Sequence, residues 1–353
     1  MGSPRVVKRS WTSIWAKGMS VGLKAMRKAT QQATKQAKAR QAKPFARAPV
    51  RRQTTAAVSN SAKGERAAGQ WLSGVALGPA GARRYRLYRP PGLQTAERVP
   101  MVVMLHGCGQ DGEGFAASTR MNRIAARARF IVLYPEQDRL ANPQGCWNWF
   151  NTKSGRAYGE AALVMAAVEQ ACQLYPVDRD RVAVAGLSAG ASMAALLVTR
   201  YPERFKALVM HSGIPPGTAD STLTALRAMR GRRATSALQA GPTTQAPAWP
   251  PLLVIHGTVD AVVDVRNGRA AAQLWADAAG ARATAPRRVQ RGKRYPMTVT
   301  DFKLKGSTVA TLAEVARLAH AWSGGTAHLP YSDANGPDAS RMVWAFAAKQ
   351  FRL

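Results

Sequence analysis

The chain has 353 residues, enough for one large domain and further segments, and its 51 lysines and arginines against 19 aspartates and glutamates give a formal net charge of +32. This charge predicts attraction to anionic surfaces such as nucleic acid, phospholipid or an acidic polymer. No apolar run approaches the roughly 18 residues that span a bilayer, and no set of cysteines and histidines has zinc-ligand spacing. We therefore expect neither a membrane span nor a structural metal.

Residues 1–64 have the composition of a basic arm, because no acidic residue precedes Glu65 while lysine and arginine recur throughout. Six apolar residues recur at spacings of three and four, which predicts that they share one helical face: Trp11, Ile14, Trp15, Met19, Leu23 and Met26. We predict a partly helical arm that lies on an anionic or apolar surface; a solubilising tail, or a helix packed on the protein's own domain, is the alternative. No recognised nucleic-acid module accompanies it, so we expect no sequence-specific nucleic-acid binding.

The start of the chain lacks the pattern of a secretory signal, which needs an uninterrupted apolar core of about 7–15 residues. Lys17, Lys24, Arg27 and Lys28 break up every candidate run. The sequence therefore favours a cytoplasmic location.

Residues 65–353 have the pattern of an α/β domain. Short apolar runs predict strands at 85–88, 99–105, 130–134, 181–185, 207–210 and 252–255, and helical stretches lie at 159–175, 189–201 and 268–279. Buried strands that alternate with helices are typical of a mostly parallel sheet covered on both faces. Residues 217–250 have little strand pattern and are predicted to be an insertion.

The segment Gly186-Leu187-Ser188-Ala189-Gly190 matches the pattern G-x-S-x-G, between an apolar strand and a predicted helix. Nucleophilic serines need a tight strand-to-helix turn, and glycines on both sides leave room for it. The helix N-terminus beneath the turn favours negative charge that develops during acyl transfer. The pattern predicts Ser188 as a nucleophile.

A nucleophilic serine requires a base, and the chain has five histidines. His106, His211 and His256 each end an apolar strand-like run, where histidine usually supports loop geometry. In hydrolases with this pattern the order along the chain is serine, acid, histidine. His320 follows the last strand-like segment and lies in a turn-rich loop, so we predict it as the base, with His328 as the alternative.

The acid should follow the strand at 252–255, where it can orient the imidazole and stabilise its charged form. Asp260 lies in the turn directly beyond that strand and is the predicted acid; Asp264 is the alternative. An oxyanion hole is also needed, and the backbone N–H of Ala189 is one predicted donor. We predict the N–H of Cys108 as the other, with those of Gly107 and Gly109 as alternatives.

Five motifs in one order resemble the polyhydroxybutyrate depolymerase family of esterases, which is related to feruloyl and acetylxylan esterases. They are His106-Gly107-Cys108-Gly109-Gln110, Cys146-Trp147-Asn148-Trp149, Gly186–Gly190, His256-Gly257-Thr258-Val259-Asp260 and His320-Ala321-Trp322-Ser323-Gly324. The resemblance covers roughly residues 70–353. It implies an α/β-hydrolase fold, a triad of Ser188, Asp260 and His320, and ester hydrolysis without a metal or cofactor.

The resemblance also implies a disulfide between Cys108 and Cys146, although two free thiols remain the alternative. Such a bond fits an oxidising compartment, so an extracellular location is the alternative to a cytoplasmic or granule-associated one. Trp147, Trp149 and Trp322 are expected to line the substrate cleft; ordinary core packing is the alternative.

The resemblance favours a short-chain polyhydroxyalkanoate depolymerase, which acts on an ester polymer or on small esters. A feruloyl or acetylxylan esterase is the second hypothesis. A third, of a different class, is a protein that binds polyhydroxybutyrate granules, membrane or nucleic acid through residues 1–64.

Overall fold

The computed structural model describes residues 69–233 and 249–352. The predicted arm at 1–64 and positions 234–248 of the predicted insertion lie outside the described residues. Among the helices within these ranges, none is long and apolar enough to cross a membrane.

Eleven strands in the described residues form one sheet. They are β1 (Gln70–Gly78), β2 (Gly81–Arg89), β3 (Val99–Leu105), β4 (Ile131–Pro135), β5 (Val177–Leu187), β6 (Ala207–His211), β7 (Leu252–Gly257), β8 (Arg282–Ala283), β9 (Arg287–Val289), β10 (Met297–Leu304) and β11 (Ser307–Val315). The main order is β1-β2-β4-β3-β5-β6-β7-β11-β10-β8, and β9 pairs with β10. β12 (Trp322–Ser323) and β13 (Ser332–Asp333) form a separate small ladder.

The six central strands, from β4 to β11, are parallel, and antiparallel strands complete both edges. The helices are α1 (Gly112–Thr119), α2 (Met121–Ala128), α3 (Arg156–Leu174), α4 (Ala189–Arg200), α5 (Thr222–Met229), α6 (Arg266–Ala279) and α7 (Ala339–Gln350), and Pro202–Arg204 forms one 3-10 turn. All the strands and helices predicted within residues 65–353 correspond to elements of this architecture.

Two cores cover the two faces of the sheet. Along β3 successive side chains point to opposite faces, so Val103 packs with α3, α4 and α6, whereas Val102 packs with α1, α2 and α7. Six of the seven residues of β3 are buried. Burial on both faces explains why the central strands are nearly continuous apolar runs rather than alternating ones.

Candidate active site

Three parallel strands bring the predicted triad residues to one edge of the sheet. Ser188 directly follows β5, Asp260 follows β7 and His320 follows β11. The carboxyl ends of parallel strands meet at the same edge, where ligands bind in open α/β sheets. Residues that lie 132 positions apart in the sequence, from 188 to 320, are therefore gathered around neighbouring strand ends.

Ser188 occupies a strained turn between β5 and α4. Its φ of 56° and ψ of −121° lie outside the regions that serine normally adopts, and its side chain is partly exposed. A Cβ atom on Gly186 would lie 2.4 Å from the carbonyl of Gly190, and one on Gly190 would lie 2.2 Å from the carbonyl oxygen of Leu105. Both glycines are therefore required for this turn to form.

Asp260 and His320 are joined by a hydrogen bond of 2.8 Å between Oδ2 and Nδ1. The Asp260 carboxylate is fully buried, and its Oδ1 also accepts the backbone N–H groups of Val262 and Val263 at 2.9 Å each. Burial opposes ionisation of Asp260, but the hydrogen bond and charge of His320 outweigh it, so the pKa of Asp260 lies below its usual value. The carboxylate is thus ionised and holds Nδ1 of His320, which leaves Nε2 for proton transfer.

The alternative acid and base lie in different surroundings. Asp264 pairs with Arg266 through two contacts of 2.8 and 2.9 Å, and this pairing, chiefly through the hydrogen bond from Arg266, lowers the pKa of Asp264 to about 2. His328 is exposed. The hydrogen-bonded acid and histidine are Asp260 and His320, and neither Asp264 nor His328 takes part in that pair.

Of the three candidate backbone donors in the loop after β3, at positions 107, 108 and 109, two are already engaged. The N–H of Gly107 donates to Oε1 of Gln110, that of Gly109 to the carbonyl of Gln144, and that of Gln110 to the carbonyl of Gly107. The N–H of Cys108 has no partner among the described residues. That of Ala189, at the first position of α4, has none either, as expected for a helix start.

The two free donors belong to segments in close contact. The ideal Cβ position of Gly190 lies 2.2 and 2.4 Å from the carbonyl oxygens of Leu105 and His106, so the loop after β3 touches the first turn of α4. The geometry favours Cys108 and Ala189 over Gly107 and Gly109 as a pair of donors for an oxyanion.

A disulfide and buried hydrogen bonds stabilise the loop after β3. The structure joins Cys108 to Cys146. The carbonyl of His106 accepts the indole N–H of Trp147 at 3.0 Å, and its Nε2 accepts the backbone N–H of Gln137 at 3.1 Å. Nothing in the local sequence around Gln137 predicts this contact.

Two of the three tryptophans predicted to line the cleft are core residues, so that prediction is wrong for Trp147 and Trp322. Neither has any exposed surface, because Trp147 lies in one of the two cores and Trp322 in the other. Trp322 stands edge-on to Phe115 and donates its indole N–H to Oγ of Ser340 at 3.1 Å. Trp149 is 7% exposed and packs edge-on against Phe150, so it offers little surface to a ligand.

His211 links the serine turn to the loop that carries His320. Its carbonyl accepts the N–H of Ser188 at 2.9 Å, its Nε2 accepts the N–H of Ser323 at 3.1 Å, and its ring stacks on Trp322 at 5.0 Å between centroids. Burial, followed by the nearby charges of His256 and His320, lowers the pKa of His211 to about 3. The ring is therefore neutral and can accept at Nε2. The sequence predicted only a role in loop geometry for it.

Among the described residues, no group of three or more histidine, cysteine, aspartate or glutamate side chains is arranged to hold a metal ion.

Comparison with known proteins agrees with this architecture. Residues 83–293, more than half of the chain, match the family model described as esterase PHB depolymerase. The chain is 34% identical over 131 residues to a poly(3-hydroxyalkanoate) depolymerase C of Paucimonas lemoignei, a match that covers 37% of this chain and 31% of that protein. It is 27% identical over 215 residues to feruloyl esterase B of Neurospora crassa, over 57% of this chain and 72% of the relative.

A solved acetyl xylan esterase from Aspergillus awamori superposes with a TM-score of 0.56 at 20% sequence identity, covering 72% of this chain and 94% of that one. This likeness establishes the α/β-hydrolase fold. The family match over residues 83–293 shows that the chain belongs to the PHB depolymerase family of esterases.

Proposed function

We propose that the chain is a serine esterase that forms an acyl-enzyme on Ser188, and that short-chain polyhydroxyalkanoates such as poly(3-hydroxybutyrate) are its substrates. The observation that carries the mechanism is the 2.8 Å hydrogen bond between buried Asp260 and His320, at the same sheet edge as the strained Ser188 turn. Membership of an esterase family supports the reaction type.

In the first step Nε2 of His320 takes the proton of the Ser188 hydroxyl while Oγ attacks the ester carbonyl carbon. The carbonyl oxygen becomes an oxyanion and accepts hydrogen bonds from the backbone N–H groups of Cys108 and Ala189. His320 then donates the proton to the leaving alcohol oxygen, and the acyl group remains on Ser188. Asp260 stabilises the imidazolium throughout this step without becoming protonated.

In the second step a water molecule replaces the alcohol. His320 removes its proton as the water oxygen attacks the acyl carbon, and the same two backbone donors hold the second oxyanion. Collapse of this intermediate returns the proton to Oγ of Ser188 and releases the carboxylic acid. For a polyhydroxyalkanoate, each cycle cuts one ester bond and leaves a hydroxyl end and a carboxylate end.

Substitution of the nucleophile tests this mechanism. Ser188→Ala should reduce kcat on a short-chain p-nitrophenyl ester by about 10⁶, since the residual rate of such variants comes from binding and the oxyanion hole alone. Ser154→Ala, which removes an exposed hydroxyl from a surface turn, is the matched control and should retain the wild-type rate. A Ser188→Ala enzyme with wild-type turnover would rule out the acyl-enzyme.

The substrate class is supported by the relative whose name specifies a poly(3-hydroxyalkanoate), with 34% identity, although the match spans about a third of that protein. Feruloyl and acetylxylan esterases are also relatives, at 27% and 24% identity, and provide the second candidate class. The test is a comparison of kcat/KM across amorphous poly(3-hydroxybutyrate), its oligomers, feruloyl esters and acetylated xylan. Activity on feruloyl esters and acetylated xylan without release of 3-hydroxybutyrate would identify carbohydrate esters as the substrate class instead.

We further propose that residues 1–64 dock the enzyme on the charged coat of a polymer granule, because this segment combines many lysines and arginines with apolar residues at helical spacing. Removing residues 1–64 should leave hydrolysis of a soluble ester unchanged and abolish cosedimentation with granules. If the shortened chain cosediments with granules as well as the full chain does, residues 1–64 are not the granule-binding segment.

A further inference from the structure

A cavity of about 160 Å³ lies between α2 and the start of α7 and is lined mainly by arginine. Five guanidinium groups border it, those of Arg120, Arg123, Arg127, Arg294 and Arg341, against the single carboxylate of Asp338. Five positive charges and one negative charge leave a local charge of +4. None of these residues takes part in the proposed ester hydrolysis.

Four of the five arginines form no salt bridge within the described residues, and only Arg341 does, with Asp338. Two of the four, Arg123 and Arg127, lie one turn apart on α2 and are exposed. Like charges at this spacing destabilise a helix by a few tenths of a kcal/mol. Elsewhere exposed arginines do find partners, for example Arg129 with Glu97 at 2.8 Å.

The residues outside the described ranges contain almost no acidic side chains that could neutralise these arginines. Residues 1–68 and 234–248 together contain one acidic side chain, that of Glu65. The excess positive charge is therefore a property of the chain, and an anion from solution can neutralise it.

Hydrogen bonds to backbone carbonyls orient two of the other three guanidinium groups, and the third, that of exposed Arg341, has a longer ion pair. Nη1 of Arg294 donates to the carbonyls of Ala334 and Gly336, at 3.1 and 2.6 Å, and Nη2 of Arg120 donates to the carbonyl of Gly324. Nε of Arg341 lies 3.4 Å from Oδ2 of Asp338. Each guanidinium carries five N–H donors, so all three keep free donors after these contacts, and those of Arg120 and Arg294 are already oriented, which lowers the entropy cost of binding.

We propose that this pocket binds a phosphate group, either as inorganic phosphate or diphosphate or as part of an anionic lipid headgroup. Arginine forks match phosphate oxygens with paired, charge-assisted hydrogen bonds. A volume of about 160 Å³ holds about five water molecules. This is well below the roughly 300 Å³ at which pockets for drug-sized ligands begin, so the pocket suits a small compact anion rather than a whole nucleotide.

Calorimetric titration of the full chain with inorganic diphosphate, at about 0.15 M salt to screen loose surface binding, tests the proposal. We expect saturable binding at one site. Arg123→Gln with Arg127→Gln should weaken it about tenfold or more through the loss of charge-assisted hydrogen bonds. Arg282→Gln with Arg288→Gln removes the same charge from exposed positions on β8 and β9 and should change the affinity by less than about twofold.

The matched control separates the pocket from the general positive charge, because residues 1–64 are present in every variant. Absence of saturable diphosphate binding to the wild type, or equal weakening by both double variants, would overturn the proposal. Calorimetry measures the heat of diphosphate binding, so a negative result would not depend on whether the proposed esterase activity is correct. An esterase kcat close to that of the wild type in both double variants would confirm that these variants are folded.

Cosedimentation with phosphatidylcholine vesicles that contain phosphatidic acid identifies the source of the phosphate when the two double variants are compared, because residues 1–64 contribute equally to both. Loss of diphosphate binding together with weaker cosedimentation of Arg123→Gln, Arg127→Gln than of Arg282→Gln, Arg288→Gln would assign the pocket to a lipid headgroup. Loss of diphosphate binding with equal cosedimentation of the two double variants would assign it to the free anion. Both outcomes support a phosphate site.

Discussion

Asp260 is ionised in spite of complete burial, because its two oxygens accept three hydrogen bonds, from His320 and from the backbone of Val262 and Val263. A neutral amide at this position would keep the shape but lose the charge that stabilises the imidazolium, and it could hold His320 in the wrong tautomer. Asp264 carries the same chemical group four residues further along the chain, but it pairs with Arg266 at the surface.

We therefore expect Asp260→Asn to lower kcat by about 10⁴ while the KM for a soluble ester changes little. Asp264→Asn, the matched control, should retain activity within about threefold, because it removes only an exposed ion pair. Steady-state kinetics on both variants measure the difference. A larger loss for Asp264→Asn than for Asp260→Asn would exchange the roles of the two aspartates.

The residues of the site differ in how much of them a sequence can predict. Ser188 is marked by glycines within two positions on either side, and Asp260 by the strand just before it. His211 makes its decisive contact with Ser323, which is 112 positions away in the sequence. The local sequence around His211 shows only that it ends a buried strand. A contact between segments that are distant in the sequence leaves no local pattern from which it could be predicted. For the same reason the burial of Trp147 and Trp322 could not be predicted from their motifs.

At the scale of single elements, five of the six parallel strands were predictable, whereas β11 and most of the antiparallel strands were not. Strands buried on both faces are uniformly apolar and stand out from their surroundings. β10 and β11 have one face partly exposed and include Thr, Lys and Asp, so their composition resembles that of a loop. Only residues 85–88 of the hairpin β1–β2 were predicted, because arginines occupy much of the remainder of β2.

The loop after β3 is an element whose shape depends on a covalent link. The disulfide between Cys108 and Cys146 closes a loop across 38 positions, and a closed loop of this length stabilises a fold by about 4 kcal/mol through the entropy of the unfolded chain. It also fixes the segment that presents the N–H of Cys108, so its loss should reduce kcat as well as stability.

Cys108→Ala with Cys146→Ala should therefore lower the free energy of unfolding by about 4 kcal/mol and reduce kcat, although the backbone N–H of residue 108 remains. Cys172→Ala removes the half-buried free cysteine and should cost about 1 kcal/mol or less. Urea unfolding of the three proteins without reductant gives both values. Equal stability of the double variant and the wild type would show that the link does not stabilise the fold.

At the scale of the whole molecule, three histidines at the ends of the strands are buried in the neutral form. Burial lowers the pKa of His106 to about 4 and that of His211 to about 3, and it also lowers the pKa of His256. The unfolded chain takes up protons on His106 and His211 near pH 6.5, whereas the folded chain does so only near pH 4 and 3. Their contribution to stability is complete above pH 6.5 and is lost as the pH falls toward the folded values.

The domain should consequently unfold in mild acid. His106 and His211 each remove about 1.4 kcal/mol of unfolding free energy per pH unit below 6.5, so about 5 kcal/mol is lost by pH 4.5, which rivals the whole stability of a typical domain. Asp260 affects stability in a separate pH range, because its lowered pKa changes the free energy of unfolding only below about pH 3.8. Urea unfolding at intervals from pH 7.5 to 4.5 measures this slope.

Two variants separate the buried histidines from general acid effects. His211→Asn removes one proton uptake site, so it should be less stable at pH 7 but should show a slope smaller by about 1.4 kcal/mol per pH unit. His328→Gln removes an exposed histidine and should follow the wild-type slope. A wild-type stability that is constant between pH 7 and 5 would mean that these rings are not neutral and buried in the folded protein. The strand ends around His211 would then have to be arranged differently from the geometry on which Ser188 and His320 depend.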